Sequence, residues 1–90
     1  MAAIVAKHLH KIKYRLFLFG SRARREHTVR SNYDLAISSQ KPVPLSTLAL
    51  IRGDLETLPL LQKIDLVDMK YASSSLKSQI LKHGILLSEH

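Results

Sequence analysis

The apolar and aromatic run Tyr14–Phe19 constrains the fold of this chain more than any other segment. A short run of this kind, stopped by Gly20, is typical of a buried β-strand. The apolar runs are all far shorter than the roughly 18–20 residues of a membrane span. The apolar start of the chain has no basic segment before it and makes a poor signal peptide. We therefore expect no contact with a membrane and a location in the cytoplasm.

Helical and strand patterns alternate along the chain. Apolar residues spaced three and four apart predict helices, and short dense apolar runs predict strands. Gly53 lowers helix stability by about 1 kcal/mol relative to alanine and allows a break there. A serine among residues 73–75 is expected to cap the last helix. The predicted order is helix, strand, short helix, strand, helix, strand, helix, at Ala2–Lys13, Tyr14–Phe19, Arg22–Glu26, Tyr33–Ser38, Leu45–Leu58, Lys63–Met69 and Leu76–Lys82.

This order indicates an α/β (α+β) fold, in which helices flank one small mixed sheet of about three to four strands. A length of 90 residues allows one domain, and we expect it to span residues 1–90. The chain has no cysteine, which excludes a disulfide framework, a thiolate zinc site and a cysteine nucleophile.

The positive charge is concentrated in one half of the chain. Fourteen Lys and Arg against seven Asp and Glu give a net charge of +7. Residues 1–45 hold nine basic and two acidic side chains, whereas residues 46–90 hold five of each. A one-sided basic field favours a nucleic acid, a nucleotide phosphate or an acidic protein surface as partner. Surplus lysine for solubility is the plainer alternative.

Gly20-Ser21 lies at a predicted strand-to-helix turn. Glycine lets the backbone approach a ligand closely, and the start of a helix presents free amide groups and a positive dipole end. Arg22, Arg24 and Arg25 add positive charge. This arrangement would suit a phosphate group, although glycine and serine also form many purely structural turns.

Three oxygen-bearing side chains fall on predicted neighbouring strands. Asn32 and Asp34 are two positions apart, so they project from one face if the strand begins at Asn32. Asp65 interrupts an apolar strand, where a carboxylate is unfavourable unless it is paired or bound to a cation. Together they would suit Mg²⁺. Taken singly, Asp34 could instead cap a turn, and Asp65 could pair with a basic residue.

The combined pattern resembles the minimal nucleotidyltransferases of the DNA polymerase beta superfamily. Their signature is Gly-Ser, ten residues, Asp-x-Asp, and a third acidic residue on a later strand. Here ten residues separate Ser21 from Asn32-Tyr33-Asp34, and Ile64-Asp65-Leu66-Val67 matches the third motif. The resemblance spans most of the chain and implies a polymerase-beta-like nucleotidyltransferase core.

The resemblance also implies how a nucleoside triphosphate would be bound. Ser21 and the backbone around Gly20 would hold its β- and γ-phosphates. Arg22 and Arg24 would steady the triphosphate, or else only solvate the surface of the turn.

The same resemblance implies a metal site with two Mg²⁺ ions. Asn32 and Asp34 would hold both ions. Asp65 would bind one of them and help to activate an acceptor hydroxyl, which then attacks the α-phosphorus while pyrophosphate leaves.

Two positions depart from the family pattern. Asn32 stands where the family has aspartate; its amide oxygen can bind a metal but brings no negative charge. We expect weaker metal binding and still weaker catalysis, whether this is a naturally weakened member or a substitution introduced to silence the enzyme. Arg25 stands where the family commonly has glycine.

Family members of this size resemble the antitoxin halves of modules whose toxin is a HEPN-domain ribonuclease, and some of them transfer AMP to a toxin tyrosine. The leading expectation is therefore an ATP-using, Mg²⁺-dependent adenylyltransferase that neutralises a HEPN toxin. The alternative is a catalytically silent module that sequesters its partner by contact. Direct nucleic-acid binding ranks last, because the nucleotidyltransferase motif already accounts for much of the positive charge. The five aromatic residues also supply few rings for base stacking.

Overall fold

A computed structural model describes residues 1–25 and 31–90 of the chain. The segment Met69–Tyr71 forms a single 3₁₀ turn. The helices and strands are, in chain order, α1 (Ala2–His8), β1 (Tyr14–Phe19), β2 (Tyr33–Ser39), α2 (Leu45–Glu56), β3 (Ile64–Asp68), α3 (Ser74–His83) and β4 (Ile85–Glu89).

The strands form one four-stranded sheet in the order β3-β2-β1-β4. The central strands β1 and β2 are antiparallel, β4 is antiparallel to β1, and β3 is parallel to β2. A parallel pair needs a crossover connection, which α2 supplies between β2 and β3. This mixed sheet flanked by helices confirms the predicted fold class.

The two faces of the sheet are covered unequally. Leu35 and Ile37 of β2 face the larger core, which α1 and α2 cover. Because side chains alternate along a strand, Ala36 faces the other side, where it packs in a smaller cluster with Phe17 and with Ile80 of α3. The larger core holds the buried residues Val5, Leu9, Tyr14, Leu16, Leu35, Ile37, Val43, Leu48, Ile51, Leu55 and Leu66.

The first helix is shorter than its apolar periodicity predicts. It ends at His8, not at Lys13, and the chain continues in a turn that is closed by a 3.1 Å hydrogen bond from the Ile12 amide to the Leu9 carbonyl. Leu9 is fully buried and Ile12 packs against the same core. The spacing of apolar residues thus predicts correctly which residues are buried. Residues in a turn, however, can be buried as fully as residues in a helix.

Two further predictions need correction. Residues Ser21–Arg25 form a turn and not the start of a helix, and Glu26, the last residue of the predicted short helix, lies outside the described residues. The element order also omitted β4 (Ile85–Glu89). Its three successive apolar residues remain exposed, so they show none of the alternation that identifies a half-buried strand.

The remaining helices follow the sequence closely. Leu48, Ile51 and Leu55 are the buried face of α2, and the helix continues unbroken through Gly53. The Ser73 hydroxyl accepts a 3.1 Å hydrogen bond from the Leu76 amide and caps α3, as predicted. Across the described ranges, no helix has the length and apolar character needed to cross a membrane.

Replacing Gly53 with alanine should stabilise the protein. A methyl group at this position would meet no atom within 4 Å, and alanine loses less backbone entropy than glycine in a helix interior. We expect Gly53→Ala to raise the free energy of unfolding by about 0.5–1 kcal/mol, measured by urea denaturation. Ala49→Gly, at an exposed position of the same helix, is the matched control and should lower it similarly. Equal stability of all three proteins would contradict the expectation.

Candidate active site

The register of the sheet brings two carboxylates together. Asp34 of β2 pairs with Phe19 of β1 on one side and with Asp65 of β3 on the other. Adjacent strands lie about 4.8 Å apart, and paired positions of parallel strands project to the same face. The structure therefore places the two predicted carboxylates side by side, at the end of the sheet where β1 finishes and β2 and β3 begin.

Gly20 brings the turn after β1 against Asp34. Its φ is +76°, and a Cβ atom built on it would collide with the Asp34 carboxylate. Only glycine meets both demands, since it has no Cβ and adopts positive φ without strain. The backbone of Gly20 and Ser21 is thus held next to the carboxylate pair, where the sequence predicts a phosphate-binding turn.

Arg22 ties this turn to the residues before β2. Its Nε and Nη2 donate hydrogen bonds of 3.3 and 3.1 Å to the Ser31 carbonyl. Its guanidinium carbon lies 3.9 Å from the centroid of the Tyr33 ring, a cation–π contact. The sequence did not indicate this positioning contact. The phosphate contacts expected of Arg22 and Arg24 stay predictions.

Arg25 occupies a backbone position that suits glycine. Its φ is +60°, in the left-handed region that costs an L-residue roughly 1–2 kcal/mol. Glycine would adopt this φ without strain, so the turn carries arginine at a position that suits glycine.

Asn32 lies at the rim of the site. It is exposed, it directly precedes β2, and it stands two positions before Asp34. The Tyr33 amide donates a 2.9 Å hydrogen bond to the Lys63 carbonyl, which fixes the start of β2 against β3. Asn32 thus stands beside the strand end that also carries Asp34.

The electrostatics of the pair favour a bound cation. Burial and the neighbouring Asp65 carboxylate raise the pKa of Asp34 above its ordinary value. The Lys63 ammonium lies 3.5 Å from Asp65 Oδ1 on an exposed surface, where such a pair contributes little.

The candidate donor set consists of two carboxylates and one amide. Within residues 1–25 and 31–90, no three His, Cys, Asp or Glu side chains lie close enough to bind a metal. Asp34 and Asp65 supply the charge, and Asn32, the third donor that the sequence predicts, lies just before β2. Oxygen donors of this kind suit Mg²⁺. The set of three donors carries one negative charge fewer than three carboxylates would.

A cleft of about 500 Å³ opens beside the carboxylates, within the size range of small-molecule sites. Phe19 and Val67 line it on the sheet, and Arg52, Glu56 and Lys63 line it at the outer edge of β3. Arg52 reaches from α2 to the Leu66 carbonyl with a 2.9 Å hydrogen bond. In the sequence Arg52 appears only as a neighbour of the apolar stripe of α2, so its presence at the cleft was missed.

Asp68 is excluded as a site carboxylate. It lies three positions after Asp65 on β3 and therefore points to the opposite face. Its side chain is buried, and it accepts hydrogen bonds of 2.7 Å from the Val43 amide and 2.9 Å from the Lys70 amide. Asp68 fixes the loop before α2 and caps the 3₁₀ turn.

Comparisons with known proteins agree with this fold. The family model "Polymerase beta, Nucleotidyltransferase" matches residues 3–90. No curated protein matches the sequence.

Solved structures share the fold at low sequence identity. A toxin–antitoxin structure with AMP-PNP aligns with a TM-score of 0.78 and 21% identity, covering 99% of this chain and 71% of that one. A structure of a tri-AMPylated Shewanella oneidensis HEPN toxin in complex with MNT antitoxin aligns with a TM-score of 0.66 and 20% identity, covering 99% and 66%. An MntA–HepT toxin–antitoxin structure gives 0.63 and 18%, covering 99% and 68%.

Removing the charge of Asp34 should stabilise the metal-free protein. A raised pKa in the folded state means that ionised Asp34 destabilises the fold, and that stability returns as pH falls through that pKa. We expect Asp34→Asn to raise the melting temperature at pH 7, with the gain shrinking toward pH 4. Thermal denaturation between pH 4 and pH 8, with EDTA present, measures it.

Asp65→Asn is the companion variant, because it removes the same repulsion from the other side. It should raise the melting temperature at neutral pH as well. A lower melting temperature in both variants would show that the carboxylates stabilise the metal-free fold, which would contradict the expectation.

Proposed function

Because the chain belongs to the polymerase beta nucleotidyltransferase family, we propose that it is a Mg²⁺-dependent adenylyltransferase that transfers AMP from ATP to a hydroxyl group of a protein. The observation that carries the proposal is the pairing of Asp34 with Asp65 beside the Gly20 turn. Two adjacent carboxylates next to a close backbone approach can serve a metal and a phosphate group at once.

In this proposal the turn after β1 binds the triphosphate. The backbone of Gly20 and Ser21 holds the β- and γ-phosphates, and Arg22 and Arg24 add positive charge nearby. The raised pKa of Asp34 supports a site built to be neutralised by a cation. Asn32, Asp34 and Asp65 would hold the two Mg²⁺ ions of the family mechanism, which when bound neutralise phosphate charge.

The proposed transfer forms one bond and breaks one. The acceptor oxygen bonds to the α-phosphorus of ATP as the bond from that phosphorus to the β-phosphate oxygen breaks. Pyrophosphate leaves, and AMP stays on the acceptor. The hydroxyl proton passes to the Asp65 carboxylate and then to solvent, so Asp65 acts as the general base.

We further propose that the protein is an antitoxin acting in the cytoplasm on a HEPN-domain toxin. The structural neighbours are toxin–antitoxin complexes, one with AMP-PNP and one with an AMPylated HEPN toxin. These facts concern the neighbours and support the proposal for this chain through the shared fold. Some of the +7 charge would then meet the acidic phosphates of ATP.

A second candidate function follows from Asn32. With one carboxylate fewer, the site brings less negative charge to two divalent cations. The chain would then be a nucleotidyltransferase-fold module that sequesters its partner by contact, without transferring AMP.

Intact-mass spectrometry of a HEPN-domain toxin, incubated with this protein and Mg²⁺–ATP, distinguishes the two functions. We expect the toxin to gain the mass of one or more AMP groups. Asn32→Asp should transfer AMP faster, by about 10–100-fold if the lost ligand charge acts as strongly as other metal-site substitutions. Asp34→Ala is the negative control and should lose Mg²⁺-dependent ATP binding.

The pattern of adducts decides between the candidates. Transfer by Asn32→Asp alone would show an intact site silenced at one ligand. Transfer by neither protein, with the toxin still co-purifying, would favour the sequestering module. Unchanged Mg²⁺–ATP affinity in Asp34→Ala would contradict the proposed metal site.

Asp65→Asn separates binding from turnover. Asp65 would bind one of the ions and face the acceptor in this proposal, so Asp65→Asn should weaken Mg²⁺–ATP binding less than Asp34→Ala does. Removing a general base should slow AMP transfer by roughly 10²–10⁴-fold. Isothermal titration and single-turnover rates measure the two effects. Full turnover by Asp65→Asn would remove Asp65 from the mechanism.

A further inference from the structure

The candidate site has a direction across the sheet. The Gly20 turn follows β1, Asp34 lies on β2, and Asp65 lies on β3. Beyond β3, which is an edge strand of the described sheet, the cleft is bounded by Arg52 and Lys63. The site therefore runs from a phosphate-binding turn, past two carboxylates, to an open edge.

In-line transfer assigns the two ends of this site. The attacking and leaving oxygens lie on opposite sides of the α-phosphorus. If the leaving phosphates sit on Gly20 and Ser21, as the proposed function has it, the acceptor enters from the opposite side. That side is the free edge of β3, next to Asp65.

A groove that combines leucines with polar side chains continues from the cleft at this edge. It measures about 230 Å³, and its walls include Leu58, Leu60 and Leu61. The groove and the cleft share residues of both α2 and β3, among them Glu56 and Ile64. A molecule lying in the groove would thus extend directly to the carboxylates.

Leu61 is the outstanding feature of the groove. Its relative exposure is 102%, and Leu60 beside it is 39% exposed. A fully exposed leucine next to a candidate site contributes nothing to the core, whereas apolar patches beside functional clefts mark binding surfaces. The described groove is lined by aliphatic and polar side chains without an aromatic ring, so it offers RNA bases nothing to stack on.

We propose that the groove around Leu58, Leu60 and Leu61 is the docking surface for the acceptor protein. This inference rests on the proposed function for its direction. A segment of the acceptor places an apolar side chain against Leu61 and, within a few residues, presents its hydroxyl beside Asp65. The groove, and not the transfer chemistry, then selects which protein is modified.

The test replaces Leu61 with serine and uses Leu50→Ser as the matched control. Leu50 is 60% exposed on α2 and does not line the groove. Since both side chains are on the surface, both variants should fold. We expect Leu61→Ser to weaken binding of a HEPN-domain toxin by at least about tenfold, as at an interface anchor, and to raise its KM with kcat and Mg²⁺–ATP affinity unchanged. Leu61→Met should retain most of the affinity.

The measurements keep the two proposals apart. Equal toxin affinity in Leu61→Ser and Leu50→Ser, or no binding of the toxin by the unaltered protein, would overturn the docking surface. Toxin binding that depends on Leu61, in a protein that neither binds Mg²⁺–ATP nor transfers AMP, would support the docking surface while refuting the proposed transfer.

Discussion

The register of the central strand β2 is the constraint on which the site depends. Asp34 is paired with Phe19 on one side and Asp65 on the other. A slip of one residue would turn every side chain of β2 to the opposite face and would bury Asp34 under α1 and α2. The same register keeps Leu35 and Ile37 in the larger core. The register of β2 that packs the core therefore also places the carboxylates.

The two faces of the sheet differ in what they hold: the larger core lies on one face, and the candidate site lies on the other. The helices α1 and α2 cover the larger core, whereas α3 covers only part of the opposite face. The uncovered part holds two adjacent carboxylates, and burial together with the charge of Asp65 raises the pKa of Asp34. Ionised Asp34 therefore weakens the metal-free protein locally, and the larger core supplies most of the apolar burial.

Local features of the sequence predicted local features of the structure well. The Ser73 cap depends on a neighbour three residues away, and the buried positions of α2 follow the local spacing of its apolar residues. Predictions failed where distant parts of the chain decide the outcome. The strand β4 forms because its backbone pairs with β1, although its side chains stay exposed and carry no periodic signal.

The contacts of the arginines show the same difference between local features and features that distant parts of the chain decide. Arg22 was predicted as a phosphate ligand from its place in the turn, yet the structure also uses it to hold Ser31 and Tyr33. Arg52 was missed because it comes from α2 and reaches the cleft only across the edge of β3. A long side chain can contact several helices and strands, and the residues beside it in the sequence do not show which ones it contacts.

The sequence by itself determined most of the elements, the glycine turn and the spacing of Asn32, Asp34 and Asp65, since these follow from backbone sterics and side-chain periodicity. Only the tertiary structure decided that Asp34 and Asp65 are paired neighbours, that Asp68 points away, and that the cleft continues into a groove at Leu61. Strand order and register depend on how residues far apart in the chain pack together, and no local pattern records that.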